Sequence, residues 1–260
     1  MTLVSHYHAR DGALLAYQDE GPRGALPLLF VHGWQAHGRV WAPLLDAFER
    51  EHRVLIPDLR GYGASNGAPG PFSVETFAND LADLIDSLDL DPAVVIGHSM
   101  GATVAQRLAI DRPEAVEALV LIAPVPASGL PLSPKALDFL RGTIGNPQQA
   151  AKWFAGLTVT EQPPETMTLM LEAAATASPD AALESFASWQ PGDFSAEAAT
   201  IETPALVLAP DRDRPEFVKE HVADIIAGSR FEVVADCGHY ALVDRPRELA
   251  AAIAAFIEEL

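Results

Sequence analysis

The sequence predicts an α/β fold, a single domain on a mostly parallel sheet interrupted once by a helical insertion. Three observations carry this prediction. Short apolar runs alternate with helix-periodic segments before about residue 126 and again after about residue 200, and strands alternating with helices of that length make βαβ units. One strand-to-helix junction holds a serine between glycines, Gly97-His98-Ser99-Met100-Gly101. At 260 residues and 49% hydrophobic composition, the chain can bury roughly three quarters of its unfolded surface in one core.

Taken in order, Ala13 to Glu20 reads as a leading antiparallel strand. Leu28-Leu29-Phe30-Val31, Val54-Leu55-Ile56, Ala93-Val94-Val95-Ile96 and Leu119-Val120-Leu121-Ile122 are continuous apolar runs, the pattern of strands covered on both faces. Between them Val40 to Arg50, Val74 to Leu88 and Met100 to Ile110 carry helical spacing. From about Pro126 to Thr200 no strand is visible. Helical pieces fall near Lys135 to Arg141, Gln148 to Leu157, Glu165 to Thr176 and Ala181 to Trp189. The expected division is therefore a core of 1–125 and 200–260 with an insertion at 126–199. The alternation resumes with Ala205-Leu206-Val207-Leu208, a helix from Pro215 to Ile226, Phe231-Glu232-Val233-Val234 and a closing helix from Pro246 to Glu259.

Composition excludes several classes. The 17 Lys and Arg against 36 Asp and Glu leave a net charge of −19, which argues against nucleic acid and anionic membrane surfaces, since both are neutralised by cationic side chains. One cysteine, Cys237, rules out an intrachain disulfide or a multi-cysteine metal site. The histidines His6, His8, His37, His52 and His221 form no ligand-spaced cluster, so neither a metal nor another cofactor is expected. Met1-Thr2-Leu3-Val4-Ser5-His6 has no apolar signal core, and the uncharged stretch Ala118 to Pro134 holds four prolines and cannot span a membrane as a helix. A cytoplasmic protein, monomer or homodimer, acting on a small molecule is the resulting expectation.

The chemistry centres on Ser99. A serine on a sharp strand-to-helix turn has a strained backbone, and the flanking Gly97 and Gly101 remove side chains that would collide with it. Because a serine hydroxyl is a weak nucleophile, it needs a base with a third group to orient it. His239, in Cys237-Gly238-His239-Tyr240, follows the last strand, and Asp213, in Asp211-Arg212-Asp213-Arg214-Pro215, follows the strand before it. All three candidates thus stand at carboxyl ends of parallel strands, where open α/β sheets place their sites. Asp211 competes as the acid. Asp236 reads as a strand-end residue and Asp244 as the solvated start of the last helix.

With these motifs in order, the chain resembles the α/β-hydrolase fold superfamily over roughly residues 13–125 and 200–258. His32-Gly33-Trp34 resembles its oxyanion turn, Asp58-Leu59-Arg60-Gly61-Tyr62-Gly63-Ala64-Ser65 its D-x-R-G-x-G-x-S turn, Gly97 to Gly101 its nucleophile elbow, and Gly238-His239 its catalytic-histidine loop. The resemblance implies a central sheet of about eight strands with a helical cap. It also implies Ser99 as nucleophile, His239 as base, Asp213 rather than Asp211 as its orienting acid, and the backbone amides of Trp34 and Met100 as oxyanion donors. Asp58 and Arg60 would brace their turn, His32 would support the oxyanion loop and Cys237 would be a packing residue. Gly33, His98, Trp153 and Trp189 are candidates for substrate contact; Phe154, Met167, Met170 and Phe186 add apolar surface to the insertion.

A serine hydrolase of small, fairly apolar esters or lactones is the leading expectation, with C–C-bond hydrolases and perhydrolases sharing the same triad. An elbow serine argues against epoxide hydrolases and haloalkane dehalogenases, which need aspartate there. Gly33 to Val40 faintly resembles the cofactor-independent dioxygenases of this fold, but Ala123-Pro124-Val125 lacks their carboxylate. A non-catalytic ligand receptor on the same fold is the alternative from another class.

Overall fold

The computed structural model describes residues 4–260; Met1, Thr2 and Leu3, part of the segment read as lacking a signal core, lie outside the described residues. Eight strands form one sheet. They are β1 (Val4–His8), β2 (Leu14–Glu20), β3 (Pro27–Val31), β4 (Arg53–Pro57), β5 (Ala93–His98), β6 (Val116–Ile122), β7 (Ala205–Pro210) and β8 (Arg230–Val234). The spatial order is β1-β2-β4-β3-β5-β6-β7-β8. β2 pairs antiparallel with β1 and β4, and every other pair is parallel.

Eleven α-helical elements are described: α1 (Ala42–Leu45), α2 (Val74–Ser87), α3 (Met100–Asp111), α4 (Pro134–Arg141), α5 (Pro147–Leu157), α6 (Pro164–Thr176), α7 (Pro179–Trp189), α8 (Ser195–Ala198), α9 (Pro215–Val218), α10 (Ala241–Asp244) and α11 (Pro246–Ile257). The central strands bury side chains on both faces, which is why they read as unbroken apolar runs. Leu29, Val31, Val95 and Leu121 join a core with Phe77 and Leu81 of α2 and Val104 and Leu108 of α3. Their neighbours Leu28, Phe30, Ile96 and Val120 join the opposite core with Leu44 of α1 and Leu249 and Ile253 of α11. Successive residues alternate faces because strand side chains have a period of two.

Helices α4 to α8 occupy the interval between β6 and β7. Ser133, Asn146 and Ser178 cap α4, α5 and α7 by accepting from backbone amides three residues on, each with proline at the first turn. Where structure and expectation differ, the cause is local. The segment expected as one helix from Val40 to Arg50 is a 3₁₀ turn over Gly38–Trp41, then α1, then tight turns such as Phe48 N–H to Leu45 O at 2.9 Å; Leu44 and Phe48 still reach the core, so the apolar spacing did not require a continuous helix. The helix expected from Pro215 to Ile226 is α9 followed by a π-helical turn over Lys219–Ala223. β1 escapes sequence reading because Tyr7 is its one buried side chain.

Among the described residues no helix is long and apolar enough to cross a membrane.

Candidate active site

The turn from β5 to α3 holds Ser99 at φ 55, ψ −120. A β-carbon at Gly97 would lie 2.5 Å from the Gly101 carbonyl oxygen, and one at Gly101 would lie 2.2 Å from that of Val31. Both approaches are to backbone, so neither position can take a side chain without shifting β3 or α3. Thr103 Oγ1 donates to the Val125 carbonyl at 3.0 Å and ties α3 to the segment after β6.

Two loops deliver partners to Ser99. His239 follows β8 and accepts from Ser99 Oγ at Nε2, 2.9 Å away. Its Nδ1 donates to Asp213 Oδ2 at 2.6 Å. This assignment of protons follows from the acceptor-only carboxylate at one end of the imidazole. Burial alone would raise the Asp213 carboxyl, but the charge and hydrogen bond of His239 and the nearby Arg214 outweigh it and hold the pKa below the usual carboxylate value. Asp213 is thus an anion against which a protonated His239 would be stabilised.

Asp211 faces elsewhere: it accepts from the Cys237 amide at 3.1 Å and lies 3.6 Å from Arg212. Asp236 is exposed, 3.6 Å from Arg245. Asp244 departs from its expected place on a solvated helix start. It is 7% exposed and accepts from the amides of Val159 (2.9 Å), Thr160 (3.2 Å) and Gly238 (2.9 Å), from Thr160 Oγ1 (2.6 Å) and from Gln162 Nε2 (2.8 Å). These donors come from the loop after α5 and from the residue before His239. They converge only in three dimensions, and no local pattern around Asp244 announces them.

The β3 loop passes close behind the serine. His32 Nδ1 donates to the Gly33 carbonyl at 2.9 Å while Nε2 accepts from the Leu59 amide at 3.0 Å, a neutral imidazole spanning two turns. Burial holds its pKa down at about 4. In a trans peptide the C=O and N–H point oppositely, so anchoring the Gly33 carbonyl sets the direction of the Trp34 amide. Among the described residues neither the Trp34 nor the Met100 amide donates to a protein acceptor.

A cavity of about 180 Å³ opens over Ser99, His239 and Asp213. Trp34, Trp153 and Trp189 line it, and of the remaining candidates for substrate contact Gly33 and His98 do not. Gly33 is spent on close approach, a β-carbon there lying 3.1 Å from that of Ser99. His98 lies fully buried behind the serine, its Nε2 donating to the His239 carbonyl at 2.9 Å. The alternation of strand side chains turns residue 98 to the face opposite the cavity. Burial and the neighbouring His239 push its pKa down to about 3.

Phe154, Met170 and Phe186 are buried in the packing rather than on the cavity wall. The residues sequence reasoning did not single out are Leu130, Leu132, Leu140 and Leu157 on one side and Tyr240 and Arg214 beside the His239 and Asp213 loops. Leu130 and Leu132 flank Pro131, where no periodicity marks an inward face. Asp58 braces its turn through the amides of Gly38 and Ala64, each at 2.7 Å, and Arg60 is buried against Asp80 and Asp11. Cys237 is buried, and burial raises its thiol to about 12. Among the described residues no three His, Cys, Asp or Glu side chains are placed to hold a metal.

A family model described as the alpha/beta hydrolase family matches residues 28–252. BpoC of Mycobacterium tuberculosis, which carries the provisional name non-heme bromoperoxidase, is 30% identical over 270 aligned positions, covering 93% of this chain and 97% of BpoC. Lipase LipV from the same organism is 41% identical over 113 residues, 44% of this chain and 42% of the lipase. The esterase EaEST from Exiguobacterium antarcticum superposes with a TM-score of 0.86 at 19% identity, covering 98% of this chain and all of that one, a likeness of fold.

Proposed function

The chain belongs to the alpha/beta hydrolase family, and on that premise we propose that it is a serine hydrolase of small, largely apolar carboxylic esters or lactones. The carrying observation is the unbroken hydrogen-bonded series from Asp213 through His239 to Ser99 at the floor of an apolar cavity. His239 takes the Ser99 proton as the hydroxyl attacks the ester carbonyl, and Asp213 stabilises the resulting imidazolium. The Trp34 and Met100 amides, free of protein acceptors, receive the oxyanion. Collapse of the tetrahedral adduct expels the alcohol, which takes the proton from His239. Water, deprotonated by the same histidine, then releases the acid and restores Ser99. A positioned base contributes about 10²–10⁴ in rate and one oxyanion donor about 3–4 kcal/mol. In this reading residues 126–199 act as a cap whose Leu130, Leu140 and Trp153 present apolar surface to the substrate. Beside His239, the ionisable side chains Asp213 and Arg214 are the charged groups lining the cavity among the described residues, and the rest of its wall is mostly apolar, which favours uncharged substrates.

A fluorophosphonate probe tests the nucleophile. It should add one adduct mass to Ser99 in the wild type and none in Ser99→Ala; labelling elsewhere, or none, would count against the assignment. Turnover of p-nitrophenyl esters of graded chain length, beside several lactones, separates the enzyme from a ligand receptor, which would stop after a single acylation.

The similarity to BpoC supports a second reading in which hydrogen peroxide replaces water at the acyl-enzyme and a peracid leaves. Bromide oxidation in acetate and peroxide, lost in Ser99→Ala, is its signature.

A further inference from the structure

Gln35, the residue after Trp34, takes a left-handed conformation at the third position of a turn closed by the Ala36 amide on the Gly33 carbonyl at 3.3 Å, and its side chain is tied to the α4–α5 junction. Gln35 has φ 52 and is 1% exposed. A side chain of its type rarely adopts that conformation unless its surroundings impose it. Gln35 Nε2 donates to Thr143 Oγ1 at 2.7 Å, and Thr143 Oγ1 donates onward to the Leu140 carbonyl at 2.6 Å. The hydroxyl therefore uses its one proton in one direction and accepts in the other. Thr143 is also 1% exposed, and Leu140 lines the cavity. A second tie lies one residue earlier, where Trp34 Nε1 donates to the Ala182 carbonyl of α7 at 2.8 Å. Consecutive residues of one turn are thus bonded to two separate helical segments of the interval between β6 and β7.

Resting on the acyl-transfer reading above, we propose that Thr143 is a positioning residue for the Trp34 amide: the α4–α5 junction, through Gln35, acts together with the His32 bond to the Gly33 carbonyl to hold the direction of an oxyanion donor. The physical reason is that Trp34 and Gln35 are the two central residues of the Gly33–Ala36 turn, so holding Gln35 in the left-handed region through Thr143 helps keep that turn, and the Trp34 peptide within it, in one geometry. Freed of its tie to Thr143, Gln35 relaxes toward the right-handed region and rotates the preceding peptide planes. An oxyanion donor acts on charge that develops in the transition state, so its misdirection lowers kcat and leaves KM nearly unchanged.

The test uses full-length Thr143→Val, Gln35→Leu, the double variant and Thr143→Ser, with steady-state hydrolysis of a p-nitrophenyl ester and the rate of fluorophosphonate labelling of Ser99. The expected result is a loss of about five- to tenfold in kcat for each single variant, with KM within about twofold of wild type and the kcat/KM–pH midpoint unmoved. The double variant should be no worse than the singles, because both remove the same tie. Thr143→Ser should restore activity. Labelling should slow in parallel, since the probe also builds charge on an oxygen facing that amide. Unchanged kcat, or a loss confined to KM, overturns the proposal and leaves Thr143 as a packing residue behind the cavity wall. If Thr143→Val fails to fold, the double variant, which buries no orphaned amide against valine, decides the same question by the same kcat and KM criteria. A wild type that neither turns over esters nor labels at Ser99 refutes the serine-hydrolase reading itself, a result distinct from variants that match an active wild type.

Discussion

Asp211 and Asp213 stand two residues apart in one loop, and a hydrogen bond of 2.6 Å to His239 separates their roles. In the proposed mechanism Asp213→Asn removes the anion that would orient and stabilise the imidazolium, and kcat should fall about 10²–10⁴-fold. Asp211→Asn weakens the bond from the Cys237 amide and the pairing with Arg212, neither of which touches His239, and should leave kcat within a fewfold of wild type; the opposite ranking in steady-state assays would reverse the two roles. His98 and His32 make a different prediction, one about stability. Their ordinary value is 6.5, while burial holds them near 3 and 4 in the folded protein. The unfolded chain therefore takes up protons that the folded chain refuses, and stability present above pH 6.5 is lost as pH falls toward those lower values. At pH 5 the loss is about 2 kcal/mol for each histidine, from about 1.4 kcal/mol per pH unit. Urea unfolding between pH 7.5 and 5 should show this slope, and His98→Gln should remove about half of it.

At the scale of elements, the tie between the His239 loop and the end of α5 is the contact that sequence reading did not anticipate. Asp244 collects five donors, and the Tyr240 amide donates to the Leu157 carbonyl at 3.2 Å. Gly238 is required where it packs, since a β-carbon there would lie 2.4 Å from that same carbonyl. Removing the carboxylate strands several buried amides, each unmet donor costing about 1–3 kcal/mol before relaxation. Asp244→Ala should lower unfolding free energy by about 3 kcal/mol or more and raise amide exchange at Val159, Thr160 and Gly238 together. Exchange that rises at only one of these positions would mean that the carboxylate does not join the two loops.

Across the whole molecule the charge of −19 is spread over a surface whose acids outnumber its bases by about two to one. Self-repulsion of the folded state is screened by salt with a Debye length of about 10 Å at 0.1 M. Raising sodium chloride from about 0.05 to 0.5 M should therefore increase Tm by a few degrees. A fall in Tm would show that the arginine–carboxylate pairs, such as Arg53 with Asp19 and Arg60 with Asp80, outweigh the net repulsion.

The sheet was legible in the sequence wherever burial on both faces left an unbroken apolar run, as in β3, β5, β6 and β7. The elbow was legible because its steric demand is local: Gly97, Ser99 and Gly101 lie within one turn of chain. Chain order along a parallel sheet likewise determined which loops could meet, so Ser99, His239 and the loop holding Asp211 and Asp213 could be named from their places after strands, with the family resemblance favouring Asp213. Only the tertiary structure decided which of two aspartates faces the histidine, that His98 turns away from the cavity, that Asp244 is buried, and that Gln35 leans on Thr143. Each of these depends on which groups from other segments arrive within hydrogen-bonding distance, and local propensity carries no information about side chains that the fold brings in from elsewhere in the chain.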